Sequence, residues 1–319
     1  MEVLVAEILT RCAEYVYVLR AVCRLWRERT RVWALWPRKS ESLGALAEEG
    51  RAELLVWALE QRREKFRVDQ ANQILFGAAR GGHYAVCLMA KGWGAVDWDR
   101  MLCSAAAEGH ADLCRAAREW GAVDWDRMLR MAADKGHANI CLMAKECGAT
   151  DWNRMLVGAA RAGDRALCEL ARDWGATDYS GMLDVAAAGG HVDLCGVARA
   201  WGAPMHEHAV ELMLYYATRG GHAAVCELAR SWGARDFNWM LATAAQRGHE
   251  AICREARAWG AADWNRMLNA AAAGGRESVC RIARAWGATN WEEMRASAAH
   301  YGHLDLRGLA EKWARGEDA

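Results

Sequence analysis

Six times along this chain a histidine is followed four residues later by a cysteine, as in His110 and Cys114. On a helix that spacing puts imidazole and thiolate on one face, where two zinc ligands could be offered together. Each copy supplies only two such ligands, however, and a closed zinc site needs four. A cysteine packed as a small hydrophobe and a histidine bonded to a neighbouring loop account for the pattern more simply. His206, Glu207 and His208 form a second concentration of ligating types, but a single carboxylate between two imidazoles, read here as part of a polar loop, is a thin donor set. No metal and no cofactor is expected. Nor is there a G-x-S-x-G elbow, a phosphate loop or an H-E-x-x-H pair, so no residue is assigned a catalytic role and the chain is not read as an enzyme.

What positions these residues is a repeat. A turn of small residues ends at His83, His110, His137, Asp164, His191, His222, His249, Arg276 and His303, at intervals of 27 residues with one of 31. Four residues beyond the slot stand Cys87, Cys114, Cys141, Cys168, Cys195, Cys226, Cys253 and Cys280, so eight of the 12 cysteines are one cysteine repeated. The last copy has Arg307 there. W-G-A comes next in most copies, then D-W, then M-L and a pair of alanines. A fixed period of this size is the signature of stacked supersecondary units.

Within a copy, Trp98, Met101, Leu102 and Ala105 fall on one helical face, and Leu113, Cys114, Ala117 and Trp120 on another. Each copy therefore predicts two short helices. Asp97 and Asp124 stand at N-cap positions, and Gly94 and Gly121 where a helix ends in the left-handed conformation. One pair of this length buries too little apolar surface to offset its ordering entropy, about 1.5 kcal/mol per residue, so copies must stack. The repeated Trp and Met are expected to fill the space between copies. REWGAVDWDRML, residues 118–129, is then a joint between copies. Pro204 opens the copy with four extra residues, near 204–208, and Pro37 separates residues 1–36 from the array.

The segment AARGGHYAVCLMAKGWGAVD, residues 78–97, resembles an ankyrin repeat in its A-A-x-x-G-H, second helix and G-A-x-D. An ankyrin unit has 33 residues and T-P-L-H-x-A where M-L-x-x-A-A stands here. The resemblance implies an α-solenoid of helix pairs with curtailed β-fingers, and the pattern looks like the compact ankyrin-type repeats of large DNA viruses of protists. It covers about residues 43–315. A degenerate copy, with Arg51 in the histidine slot, runs from Leu43 to Gln61. The reading assigns residues 41–76 to this first repeat and a link, 77–315 to the array and 316–319 to a polar tail.

Residues 1–40 contain E-I-L, then LRAVCRLW, then Trp33, a pattern that resembles the F-box without its opening Leu-Pro. An F-box binds the Skp-family adaptor of a cullin ubiquitin ligase through apolar side chains on packed helices. The resemblance makes Leu4, Ile8, Leu9, Leu19, Val22 and Trp26 candidate docking residues. The expected fold is all-α, F-box-like helices followed by an ankyrin-like solenoid. The expected function is that of a non-enzymatic adaptor bringing a host protein to such a ligase, with a plain sequestering scaffold, capped by the N-terminal helices, as the alternative.

Composition narrows the partners. Forty-one basic residues offset 41 acidic ones, so no global field steers the chain to nucleic acid or to an anionic membrane. Arg24, Arg27, Arg29, Arg31, Arg38 and Lys39 form the one concentrated basic region, interrupted by Glu28 and lacking a base-stacking module, so nucleic acid is not the expected partner. No run of about 18 apolar residues is present for a membrane span. MEVLVAEILTRC lacks a basic leader. A monomer in the host cytoplasm is expected, with the nucleus as a second compartment open to it. The target-contacting candidates are positions where one copy breaks the pattern: His206, Glu207, His208, Tyr215, Tyr216, Arg235 and Trp239.

Overall fold

The computed structural model describes residues 43–60 and 67–317, and every regular element among them is a helix, with no strand. None of these helices is long and apolar enough to cross a membrane. They fall into two compact units, meeting in sequence at Thr150 and Asp151. The first holds α1 (Leu43–Glu48), α2 (Ala52–Glu60), α3 (Val68–Gly81), α4 (Tyr84–Gly92), α5 (Trp98–Glu108), α6 (Ala111–Trp120), α7 (Trp125–Ala133) and α8 (Ala138–Glu146). The second runs from α9 (Trp152–Ala162), α10 (Arg165–Asp173), α11 (Tyr179–Gly189) and α12 (Val192–Trp201) through α13 (Glu207–Gly220), α14 (Ala223–Ser231), α15 (Phe237–Arg247) and α16 (Glu250–Ala258) to α17 (Trp264–Ala273), α18 (Glu277–Ala285), α19 (Trp291–His300) and α20 (Leu304–Ala314). Within each unit a first helix packs on its own second helix and on the first helix of the next pair, a solenoid-like series. The first helix of the regular array begins at Val68, ahead of the expected start at 77.

Local chemistry sets the helix ends. Asp97 caps α5 by accepting the Arg100 N–H, and Asp124 caps α7 by accepting that of Arg127. From α4 onward the second helix of each pair ends before a glycine with positive φ, +109° at Gly121, which a side chain would strain. Between the helices, Met101, Leu102 and Cys114 and their counterparts are almost fully buried. The thiol of Cys114 reaches the carbonyl of Leu102 at 4.0 Å, tying the two helices of one pair together.

Two devices join successive pairs. The histidine of each turn bonds one pair back: His110 Nε2 donates to the carbonyl of Arg80 at 2.9 Å, and His222 to that of Ala188 at 2.9 Å. An acidic or amide side chain on each first helix holds the next loop. Asp99 accepts the N–H groups of Val123 and Asp124, and Asn238 those of Ala262 and Asp263. Loop amides that a strand pairing would otherwise occupy are satisfied this way, within a tight turn.

The tryptophans depart from the expectation of buried filler. Apart from the buried Trp313, those of the array are half-buried, most in edge-to-face couples at one end of a pair, such as Trp98 with Trp120 and Trp264 with Trp286. A cation from the preceding pair then covers the second ring: Lys91 over Trp120 at 4.4 Å, Arg257 over Trp286 at 4.7 Å. The amphipathic indole seals the rim, where a hydrated cation can lie against it.

Candidate functional site

Aligned by the M-L pair, the copies separate into framework and variation. The Met-Leu positions and the cysteine slot are buried, and the histidine slot is bonded across pairs. Three positions on the first helix change from copy to copy: the residue before Met and the two after Leu. In the first unit they are Gln73, Phe76 and Gly77 on α3, Arg100, Cys103 and Ser104 on α5, and Arg127, Arg130 and Met131 on α7. In the second they include Gly181, Asp184 and Val185 on α11, Leu212, Tyr215 and Tyr216 on α13, and Trp239, Ala242 and Thr243 on α15. Spacings of three and four place each set on one face of its helix. Stacking first helices side by side turns these sets into a row on each unit.

The second unit's row gathers the aromatic candidates. Tyr215 stacks on Trp239, ring centroids 4.6 Å apart and planes 10° from parallel, and Tyr216 lies against Tyr215 at 5.4 Å. All three rings are half-buried. Glu211, one turn before Tyr215, accepts the N–H groups of Arg235 and Asp236 through Oε1, which brings the start of α15 against α13. Arg235 thus contributes its backbone to the joint, while its guanidinium folds onto the Ala234 carbonyl at 3.3 Å. Asp184, half-buried in the equivalent slot of α11, has its carboxyl pushed up by loss of hydration and by Asp178. The patch is therefore flat, aromatic and acid-flanked.

The insertion near 204–208 is not the polar loop expected. It adds a turn to the helix: α13 has 14 residues where α11 and α15 have 11. His206 is its N-cap, with Nδ1 accepting the Ala209 N–H at 3.1 Å, and Glu207 and His208 form the first turn. Helix continues here because the free amides at its start find an imidazole acceptor, and Ala209 and Val210 find a buried face. The rings of His206 and His208 lie parallel, centroids 6.3 Å apart, and both residues are exposed with Glu207. Among the described residues, no hydrogen bond or ring contact joins these three to the Tyr215–Trp239 patch.

The repeated His and Cys point to different tasks, His110 to the preceding pair and Cys114 into its own. Among the described residues no three metal-ligating side chains converge. Burial pushes the Cys87, Cys114 and Cys168 thiols up to about 12, which keeps them protonated and unreactive. The docking candidates Leu4, Ile8, Leu9, Leu19, Val22 and Trp26 lie outside the described residues, as does the 24–39 basic run.

One element was missed by the sequence reading. On the first unit Gln73, Phe76, Arg80, Arg100 and Ser104 line a groove of about 470 Å³. Reading the repeat by columns, instead of by recurring letters, would have found it. Phe76 and Arg100 occupy varying slots and are conspicuous only once the invariant positions are set aside.

No family model matches the chain, and no curated protein matches it.

Proposed function

We propose that the chain is a non-enzymatic protein-binding adaptor whose ankyrin-like helix pairs hold a target protein on the rows of varying residues. One observation carries the reading. Framework residues repeat and are spent on burial or on bonds between pairs, whereas three positions of each first helix vary, some of them buried and others exposed or half-buried, and in the second unit they assemble a half-buried aromatic patch. Aromatic side chains with one accessible face are what protein interfaces use as anchors. The row carries no assembled nucleophile and base.

The F-box-like residues 1–40 extend the proposal. Through Leu4, Ile8, Leu9, Leu19, Val22 and Trp26 they would dock the Skp-family adaptor of a cullin ligase, and the repeats would present a host target to it. The chain would then act by proximity, raising the effective concentration of target lysines near the recruited enzyme. Co-purification from host cells at near-physiological salt tests both halves. Trp26→Ala should lose the adaptor and keep the target, and Trp239→Ala the reverse. Recovery of a target without the adaptor would leave the chain a sequestering scaffold, and recovery of neither would sink the reading.

A further inference from the structure

The groove on the first unit has a chemistry that the aromatic patch lacks. Its floor is formed where α1 and α3 meet without side chains: a Cβ on Gly77 would come within 2.0 Å of the Gly44 carbonyl oxygen, so only glycine permits this approach. One end is closed by the Glu48–Arg80 ion pair at 3.2 Å. At the other end Arg100 lies over Phe76, its guanidinium carbon 4.1 Å from the ring centroid. A guanidinium held over a ring by cation–π attraction can keep its N–H edge for another partner, and arginine takes a carboxylate there with two parallel bonds.

Arg127 occupies the same slot as Arg100 on the next first helix, and Arg130 lies one turn further on. Both act electrostatically on the buried Cys103 thiol of α5, as do Asp124 and Asp99 with the opposite sign. The nearby carboxylates keep their charge, but their oxygens are turned to backbone amides and not to these three guanidinium groups. Asp97 and Asp124 cap α5 and α7, Asp99 holds Val123 and Asp124, and Asp126 holds Thr150. No carboxylate among the described residues forms an ion pair with Arg100, Arg127 or Arg130. Arg100 and Arg127 are exposed and Arg130 is half-exposed.

We propose that this row binds an extended acidic segment of a partner protein, with one carboxylate seated on Arg100 in the groove and others along Arg127 and Arg130. Charge complementarity selects the occupant, and the groove selects its form. The one aromatic face present, Phe76, is covered by Arg100, so there is no platform on which bases could stack, and a nucleic acid is disfavoured. The proposal rests on the reading of the rows as protein-binding surfaces.

The test uses the full chain and a fluorescein-labelled peptide alternating Glu and Gly, followed by anisotropy at two salt concentrations. Wild type should bind it, more weakly as salt rises. Arg100→Glu with Arg127→Glu should weaken binding at least about tenfold, and Arg100→Lys, which keeps the charge but not the fork, by a smaller factor. The control pair Arg115→Glu with Arg118→Glu carries the same charge change on the exposed face of α6 and should shift binding less than about twofold. Helical circular dichroism confirms that each variant is folded. Equal losses in both pairs, no binding by wild type, or tighter binding of a labelled oligothymidine would overturn the proposal. Trp239→Ala should leave this peptide unaffected, so failure of the groove is distinguishable from failure of the aromatic patch to hold a target.

Discussion

Tyr215 and Trp239, 24 residues apart in the chain, are stacked in nearly parallel planes at 4.6 Å on two successive first helices. In four of the eight other copies the slot of Trp239 holds arginine: Arg100, Arg127, Arg154 and Arg266. The stack therefore places an aromatic surface where the next first helix, α17, has Arg266.

Offset aromatic pairs contribute about 1 kcal/mol beyond their area. A double-mutant cycle with Tyr215→Ala and Trp239→Ala, followed by urea unfolding, should give a coupling of that order, and each single variant should remain helical. A coupling near zero would mean that the rings do not meet in solution.

Gly82 and Gly94 both have positive φ, +78° and +92°, but a Cβ on Gly82 would lie 2.7 Å from Cε1 of His110, while Gly94 has open space. Gly94→Ala should cost about 1 kcal/mol, the backbone strain alone. Gly82→Ala should cost more, because it also pushes His110 off the Arg80 carbonyl and breaks the bond between the two pairs. Equal losses on thermal unfolding would argue against the histidine bridge.

Seven repeated thiols are held well above their ordinary value of 9.0 by burial, to about 12 at Cys87, Cys114, Cys168, Cys195, Cys253 and Cys280 and about 11 at Cys226. An acid whose folded pKa is raised stabilises the fold below the unfolded pKa and loses that contribution as pH climbs towards the folded one. Each such thiol costs about 1.4 kcal/mol per pH unit in that window. We expect a steep alkaline unfolding beginning just above pH 9.0. Native alkylation at pH 8 should label half-exposed Cys147 before any of the seven, as read by mass spectrometry.

Glu255 stands in a second-helix slot that Leu170, Val197, Leu228 and Ile282 fill in the other copies of its unit. Its Oε2 is buried without a partner, and its carboxyl is pushed up by loss of hydration and then by Glu227. The fold thus prefers it protonated, and its cost is absent below the unfolded value of 4.5 and grows as pH rises above it. Glu255→Leu should stabilise the protein at pH 7 by about 1 kcal/mol or more, with the charge-dependent part of the gain fading at pH 4. A loss of stability at pH 7 would contradict this account.

Much of the fold was legible because the signals are local. Caps such as Asp97, stops such as Gly121 and the Met101, Leu102 and Cys114 stripes act within one or two helical turns, and a repeat states each signal several times. The site was legible by name and not by arrangement. Tyr215, Tyr216 and Trp239 were singled out as breaks in the pattern, but their stacking depends on how α13 and α15 align. His206 misled, since an imidazole is an uncommon cap and the extra residues beside a proline read as a loop. Arg100 was overlooked because it recurs among arginines, and only its neighbour Phe76 makes it different.

By itself, then, the sequence determined a period of 27, two helices per copy, their ends and their buried stripes, all consequences of interactions between residues a few positions apart. Tertiary structure decided which surface each pair turns outward, that the histidines bond one pair back, that indoles seal the rim under cations, and that Arg100 lies on Phe76 with no ion pair to a carboxylate among the described residues. These rest on contacts between residues about 24 to 35 apart. No local preference encodes such contacts, which appear only when the packing of one helix pair fixes the position of the next.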